Sequence, residues 1–256
     1  MPSITPPTLT KGLALRYARQ ILLPCIDLDG QEALMGSKVL MIGAGGLGCA
    51  AAQYVVSSGI GEITLVDDDK VELSNLHRQI LHHERDVGIK KVDSAKASLL
   101  ANNSQCVINT IDERLDDKTL SQQISQHNVV LDCTDNLATR QQINRLCFAH
   151  KVPLISGAAI RFEGQVSTYL MDNHSPCYQC LSQIFPEQQL SCMEAGVIPP
   201  LVGVVGSMQA LEAIKYLTGA GELLSGILQL FDAKSSQFQR FSIPKNPHCS
   251  VCSNTG

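Results

Sequence analysis

Residues Lys38-Val-Leu-Met-Ile42 run straight into Gly43-Ala-Gly45-Gly46-Leu-Gly48, and that junction decides the fold. Four apolar residues in a row leave no polar face, as in a parallel strand covered by helices on both sides. The glycine cluster fits G-x-G-x-x-G, and the alanine-rich stretch Leu47–Ser58 reads as the helix that follows it. Glu62-Ile-Thr-Leu-Val66 is a second strand-like run, closed by Asp67-Asp68-Asp69. Strand, glycine turn, helix and strand make a βαβ unit. In such a unit the glycines allow a tight turn and close approach of backbone to phosphate, while the helix N-terminus faces negative charge. Asp67, nineteen residues past Gly48, is placed to hold ribose hydroxyls. The pattern points to a nucleotide and leaves NAD and ATP both open.

Outward from this unit the alternation continues. The spacing predicts a helix over Lys91–Asn102 and another capped by Asp116 that runs to Gln126. Val129–Asp132 reads as a third buried strand, Arg140–His150 as a helix and Pro153–Ala159 as a fourth strand. This is an α/β chain with a Rossmann-like doubly wound, mostly parallel sheet. The pattern then changes. Gln165–Leu170 alternates like a half-buried strand, and Ile227–Phe231 with Gln237–Ile243 reads as an antiparallel pair that extends the sheet. Leu201, Val204, Val205, Met208, Leu211 and Ile214 recur at helical spacing up to Gly219, and Gly203, Gly206, Ala210 and Ala213 keep that helix slim. Asp172–Ile198 has no periodicity, and a loop of that length inside a domain is usually functional. No repeat or linker divides the chain, so a flexible tail over residues 1–13 and one domain over 14–256 are expected.

Composition excludes several classes. With 44% hydrophobic and 17% charged residues among 256, the chain buries a large core and is not intrinsically disordered. A net charge of −4 leaves no basic footprint for nucleic acid or an anionic membrane, and the absence of Trp removes the best stacking side chain. The uncharged runs Val39–Gly61 and Ala195–Leu211 are broken by glycines, Gln53 and Pro199-Pro200, so neither reads as a membrane span. The N-terminus has no apolar signal segment, which predicts a cytoplasmic protein with reduced thiols.

The charges near the strand ends argue against a dehydrogenase. Ser74-Asn75-Leu-His-Arg78-Gln79, then Lys91, then Cys133-Thr-Asp135-Asn136 fall at or just beyond the carboxyl ends of successive strands, where ligands sit in open α/β sheets. Arg78 and Lys91 are suited to neutralise a triphosphate, and Asp135 to hold Mg²⁺ through oxygen. NAD carries two phosphates and needs no metal. Two cations and a carboxylate suit attack by an anionic nucleophile on phosphorus. The rival readings are that these charges are merely solvated or surface-paired, an NAD-dependent oxidoreductase with a structural zinc, and a docking module that has lost its chemistry.

Ten cysteines are present. Cys177-Tyr-Gln-Cys180 and Cys249-Ser-Val-Cys252 are two C-x-x-C pairs 68 residues apart, and four thiolates would close a structural Zn²⁺ site that pins the C-terminal tail near the long loop. A redox disulfide is the alternative. Cys25, Cys49, Cys106, Cys133 and Cys147 read as packing residues. His82-His83 reads as a solvated loop, because adjacent side chains point to different sides and cannot share a metal.

Taken together, the sequence resembles the family that activates ubiquitin-like proteins, and within it the bacterial MoeB/ThiF branch, from about Arg16 to Cys252. The marks are Arg16-Tyr-Ala-Arg19-Gln20, Gly43–Gly48, Asp67–Asp69, Ser74–Gln79, Lys91, Cys133–Asn136 and the cysteine pairs. Leu28–Leu34, Ile155–Arg161 and Cys192–Val197 lie nearest the members that serve molybdenum cofactor synthesis. The resemblance implies that the C-terminal glycine of a small ubiquitin-like sulfur carrier ending in Gly-Gly (the molybdopterin synthase small subunit) attacks the α-phosphate of MgATP. An acyl-adenylate forms and pyrophosphate leaves. A separate sulfur donor, a cysteine desulfurase or rhodanese-like protein, then makes the thiocarboxylate. ThiF-type activation of the thiamine carrier is the near alternative. The resemblance further places Gly43, Gly45 and Gly46 against the nucleotide, with Asp67 on the ribose. It gives Asp69, Ser74, Asn75, Arg78, Lys91 and Asn136 to nucleotide binding, Asp135 to magnesium, and zinc to the four cysteines. It implies a homodimer in which Arg19 reaches the partner's phosphates. Lys90 stands where the branch often has proline, so Lys91 is aligned as the phosphate lysine. Cys192 matches a nucleophile that relatives use to pass on cargo, but the members nearest this sequence do not need it, and a bystander role is the preferred alternative. The final residues Ser253-Asn-Thr-Gly256 lack a Gly-Gly tail, which leads to the expectation of an activator and not a carrier.

Overall fold

β1 (Lys38–Ile42) and β2 (Glu62–Val66) pair in parallel, Lys38 opposite Glu62 and Ile42 opposite Val66. This computed structural model describes residues 9–184 and 195–253. Three short helices, α1 (Lys11–Arg16), α2 (Ala18–Ile21) and α3 (Asp27–Met35), precede β1, and α4 (Gly46–Ser57) crosses from β1 to β2. α1 begins at Lys11, its N-terminus capped by the Thr10 hydroxyl, inside the stretch read as a tail. After β2 come α5 (Lys91–Asn102), β3 (Val107–Ile111) and α6 (Asp117–Ile124). β4 (Val129–Asp132), α7 (Leu137–His150), β5 (Leu154–Ile160), β6 (Glu163–Tyr169) and α8 (Tyr178–Ser182) follow. The last elements are α9 (Pro199–Thr218), β7 (Ile227–Asp232) and β8 (Gln237–Ser242).

The eight strands form one sheet in the order β3-β2-β1-β4-β5-β6-β7-β8. From β3 to β5 neighbours are parallel, and from β5 to β8 they are antiparallel. Val129–Asp132 is therefore the fourth strand in chain order and not the third. The strand passed over in the sequence, Val-Ile-Asn-Thr-Ile, occupies the sheet edge with Val107 exposed, and two polar residues interrupt its apolar run. Boundaries differ where a cap decides them. Asn136 accepts from Thr139 N at 2.9 Å, so α7 starts three residues before Arg140. Asp116 caps α6 as the sequence predicts, accepting from Thr119 N at 2.8 Å, but the helix ends at Ile124. α9 opens on two prolines, whose missing N–H groups cost nothing in a first turn, and stops at left-handed Gly219.

Strand alternation feeds two cores. Val39, Met41, Val129 and Leu131 pack with Ala51 and Val55 of α4, Leu99 of α5 and Val205 of α9. Leu40, Ile42 and Val130 face the other way, onto Leu120 and Ile124 of α6 and Ile143 and Cys147 of α7. Each such side chain contributes ~1.5–3 kcal/mol by leaving water, so the parallel half of the sheet is fixed from both sides. The slimness of α9 has a specific use. A Cβ on Gly206 would overlap the Leu47 carbonyl oxygen, so only glycine lets α9 lie against the start of α4, the helix that carries the glycine turn. Among the described residues no helix is long and apolar enough to cross a membrane.

Candidate active site

Gly43 has φ +98°, and a Cβ there would lie 2.7 Å from the Cys133 carbonyl oxygen, so the turn after β1 can lie against the loop after β4 only as glycine. Ala44 N donates to Asp67 Oδ2 at 2.7 Å, and Asp69 N donates to Asp67 Oδ1 at 3.0 Å. Asp67 is thus held by two backbone amides, and its carboxylate keeps lone pairs for further donors. No side chain caps the N-terminus of α4 at Gly45, which leaves its first amides available for an anion.

Lys91 is the first residue of α5 and is buried. Its Nζ lies 2.7 Å from Asp69 Oδ2 and 3.9 Å from Asp67 Oδ1. Lys90 turns away to Asp112 at 3.1 Å, so the lysine that enters the site is Lys91. Arg78 Nη1 donates to the Ser74 carbonyl at 3.0 Å, and among the described residues no carboxylate pairs with its guanidinium. Asn75 Oδ1 accepts from Glu72 N at 3.2 Å and so shapes the turn that presents Ser74 and Arg78.

Asp135 stands at the carboxyl end of β4, exposed, and its carboxylate accepts no hydrogen bond among the described residues. The loop beneath it is pinned by hydrogen bonds. Asp132 accepts from Thr134 N at 3.0 Å, from Thr134 Oγ1 at 2.7 Å and from Ser156 Oγ at 3.0 Å. Arg140 donates to the carbonyls of Thr134 and Gly157, and Gln209 of α9 donates to the Asp132 carbonyl at 2.8 Å. Burial opposes the charge on Arg140, but Asp132, Tyr178 and Asp135 together outweigh it and hold the guanidinium protonated. The sequence reading missed these three residues. The available signals were an acid ending an otherwise apolar strand and a cation in the first turn of the next helix.

These parts surround a cavity of about 680 Å³, within the range of small-molecule sites. Its walls include Gly43, Gly45, Gly46, Asp67, Asp69, Ser74, Asn75, Arg78, Lys91, Asp135 and Asn136, so every predicted nucleotide residue comes to one place. Arg114 and Gln142 also line it and were not anticipated. Arg19 is the exposed residue of otherwise half-buried α2 and does not line this cavity. Cys192 lies outside the described residues.

Cys177, Cys180, Cys249 and Cys252 are all buried, with their four Sγ atoms within 4.8 Å of one another. Cys177 and Cys249 Sγ are 3.7 Å apart, and Cys180 and Cys252 Sγ are 3.4 Å apart. These separations are far too long for disulfides. They lie near the edge of roughly 3.8 Å expected for a tetrahedron of thiolates around zinc. The amides of Asn246 and Val251 each reach a cluster sulfur at 3.5 Å, as suits thiolate acceptors. Soft donors, closed geometry and N–H support fit Zn²⁺.

Two smaller readings are corrected. Cys25 is exposed and so is not a core residue, whereas Cys49, Cys106, Cys133 and Cys147 are buried. Burial pushes Cys49 and Cys106 up to about 12, so these are inert thiols. His83 is exposed as expected, but His82 is buried, because the turn that sends one outward sends its neighbour beneath the glycine loop.

The ThiF family model matches residues 17–251. The chain is 52% identical over 238 residues to the molybdopterin-synthase adenylyltransferase of Escherichia coli, covering 93% of this chain and 96% of that one. It is 50% identical to the Salmonella typhimurium enzyme of the same name, with the same coverage. Among solved structures, Escherichia coli MccB in complex with MccA-N7isoASN superposes with a TM-score of 0.83 over 94% of this chain and 75% of that chain. At 24% identity, that likeness bears on the fold.

Proposed function

Because this chain belongs to the ThiF family, we propose that it is a nucleotidyltransferase of the molybdopterin-synthase adenylyltransferase type. Its substrates in this reading are ATP and the C-terminal glycine of a small ubiquitin-like sulfur carrier, the molybdopterin synthase small subunit. The observation that carries the reading is the meeting of Arg78, Lys91 and Asp135 with the glycine turn in one cavity.

The chemistry follows from charge. A carboxylate must reach a polyphosphate that repels it, so the site has to offset negative charge and hold both reactants in line. The α4 N-terminus at Gly45-Gly46 and the Arg78 guanidinium take the phosphates, and Asp67 receives the ribose hydroxyls. Lys91, held near the cavity by Asp69, is positioned to exchange that partner for a phosphate oxygen. Asp135 fits a hard cation because it is an exposed oxygen donor on the cavity wall with no competing hydrogen bond. Asp135 would hold magnesium there, and the ion would supply positive charge to offset the negative charge developing on pyrophosphate. The new C–O–P bond forms as the α–β phosphate bond breaks, giving acyl-adenylate and pyrophosphate. Asn75 shapes the turn and Asn136 caps α7 through their side-chain oxygens, and both residues line the cavity that would take the nucleotide.

Zinc at the four cysteines is proposed as structural, tying the segment after β8 to α8. A homodimer is proposed in which Arg19 reaches its partner's phosphates like an arginine finger. The single domain over 14–256 and a separate sulfur donor, a cysteine desulfurase or rhodanese-like protein acting after adenylation, complete the reading. A role for Cys192 as a nucleophile in passing on cargo is an optional part of it. The test is to offer the purified protein two carriers, the molybdopterin synthase small subunit and the thiamine carrier, and follow ATP–pyrophosphate exchange. The first should stimulate it well above the second. The reverse ranking assigns the chain to the thiamine pathway, and NADH binding without exchange returns it to the oxidoreductases.

A further inference from the structure

One imidazole joins three walls of the cavity from beneath. His82 is 4% exposed and lies between the glycine turn and α5. Its Nε2 is 3.2 Å from the Ala44 carbonyl oxygen, and the Ala44 amide on the other side of the same residue donates to Asp67. Its Nδ1 is 2.9 Å from Ser94 Oγ, one helical turn along α5 from Lys91. Ser94 Oγ in turn donates to Asp86 Oδ2 at 2.8 Å. The His82 backbone N–H donates to the Gln79 carbonyl at 3.1 Å, next to Arg78. The ring therefore sits at the junction of the phosphate-binding turn, the helix that carries Lys91 and the loop that carries Arg78.

We propose that His82 is a positioning residue for adenylation, setting the spacing between the glycine turn, Lys91 and Arg78. The proposal rests on the adenylation reading above. Geometry fixes the tautomer. A carbonyl oxygen only accepts, so Nε2 carries the proton and Nδ1 presents its lone pair to the Ser94 hydroxyl. Ser94 has one proton for two acceptors, Nδ1 and Asp86, so it donates to one of them at a time and ties α5 either to the ring or to the turn before α5. The Cys49 thiol, 3.7 Å from Nε2, closes the pocket on the α4 side. Lys91, Asp67 and Asp86 are the charges that face the ring, and burial keeps the imidazole neutral between them. Truncating the ring would free the turn and α5 to drift apart. A misplacement of ~1 Å between reacting groups can cost about 100-fold in rate.

The test compares His82→Ala, His82→Gln and Ser94→Ala with wild type. Glutamine can still present an N–H near the Nε2 position. In carrier-dependent ATP–pyrophosphate exchange, His82→Ala should lower kcat about 100-fold and raise the ATP KM, while the carrier KM stays within about twofold. His82→Gln should recover about tenfold of that loss, and Ser94→Ala should show the same split in milder form. Amide hydrogen exchange over residues 43–49 and 91–95 should quicken in His82→Ala, without change at the zinc cluster. The proposal fails if His82→Ala keeps its kcat within about twofold of wild type, or if those two segments exchange no faster. It also fails if His82→Gln is as impaired as alanine with melting lowered equally, which would mark His82 as core packing. Absence of exchange in wild type with every carrier defeats the adenylation reading instead, and the hydrogen-exchange comparison still decides whether His82 holds the walls together.

Discussion

Among the described residues the Asp135 carboxylate makes no hydrogen bond or salt bridge, unlike those of Asp67 and Asp69. Asp67 holds two backbone amides and Asp69 holds Lys91, so replacing either disturbs the scaffold as well as the chemistry. Asp135→Ala should therefore leave melting temperature and secondary structure unchanged while abolishing carrier-dependent exchange. Near-normal exchange in that variant would remove Asp135 from the mechanism. The buried histidines set a second prediction. Burial lowers both His82 and His127 from the usual 6.5, so below that pH the unfolded chain binds protons that the native chain resists. More protons on the unfolded state means stability rises with pH. Stability should thus fall as pH drops below 6.5 and level off once the native rings titrate. The slope is at most about 1.4 kcal/mol per pH unit for each ring. Denaturant unfolding at pH 7 and pH 5.5 measures it, and a flat profile across that interval contradicts the assignment. The role of Gln209 was illegible in the sequence, because it acts through a carbonyl 77 residues away, that of Asp132.

The elements that carry the site were legible because their signals are local. A strand buried on both faces, a glycine turn and a capped helix each declare themselves within a few residues. The edge strand β3 did not, since an edge needs no continuous apolar run. The cysteine pairs were legible as a metal set, but their meeting between α8 and the segment after β8 is a property of the fold. Removing zinc should loosen the C-terminal segment first. Cys249→Ser should lose about one zinc per chain and speed proteolysis near the C-terminus, and full zinc retention would contradict the site. The α4–α9 contact gives a sharper test of the packing. Gly206→Val forces α9 away from Leu47, so it should cost about 1–3 kcal/mol and weaken ATP binding through the displaced glycine turn. Unchanged melting would mean that the two helices do not lie as close as described.

At the scale of the whole molecule, the mixed sheet divides the work. Its parallel half ends in the cavity, and its antiparallel half extends away from the glycine turn to exposed β8. The proposed carrier, pathway and cross-subunit role of Arg19 rest on the family resemblance, since neither periodicity nor spacing contains them. Arg19 does not line the cavity of its own chain, so mixing Arg19→Ala and Asp135→Ala protomers should restore part of the activity, one site in each mixed dimer being intact. No recovery would place Arg19 outside the reaction. The central claim is that this cavity lets a carboxylate displace pyrophosphate from ATP. Labelled pyrophosphate, unlabelled ATP and magnesium, incubated with the protein and a Gly-Gly-ended carrier, test it directly. Label should enter ATP with the intact carrier and not with a carrier lacking its last glycine. Label that stays in pyrophosphate with every such carrier, or enters ATP regardless of the carrier's terminus, would contradict the account.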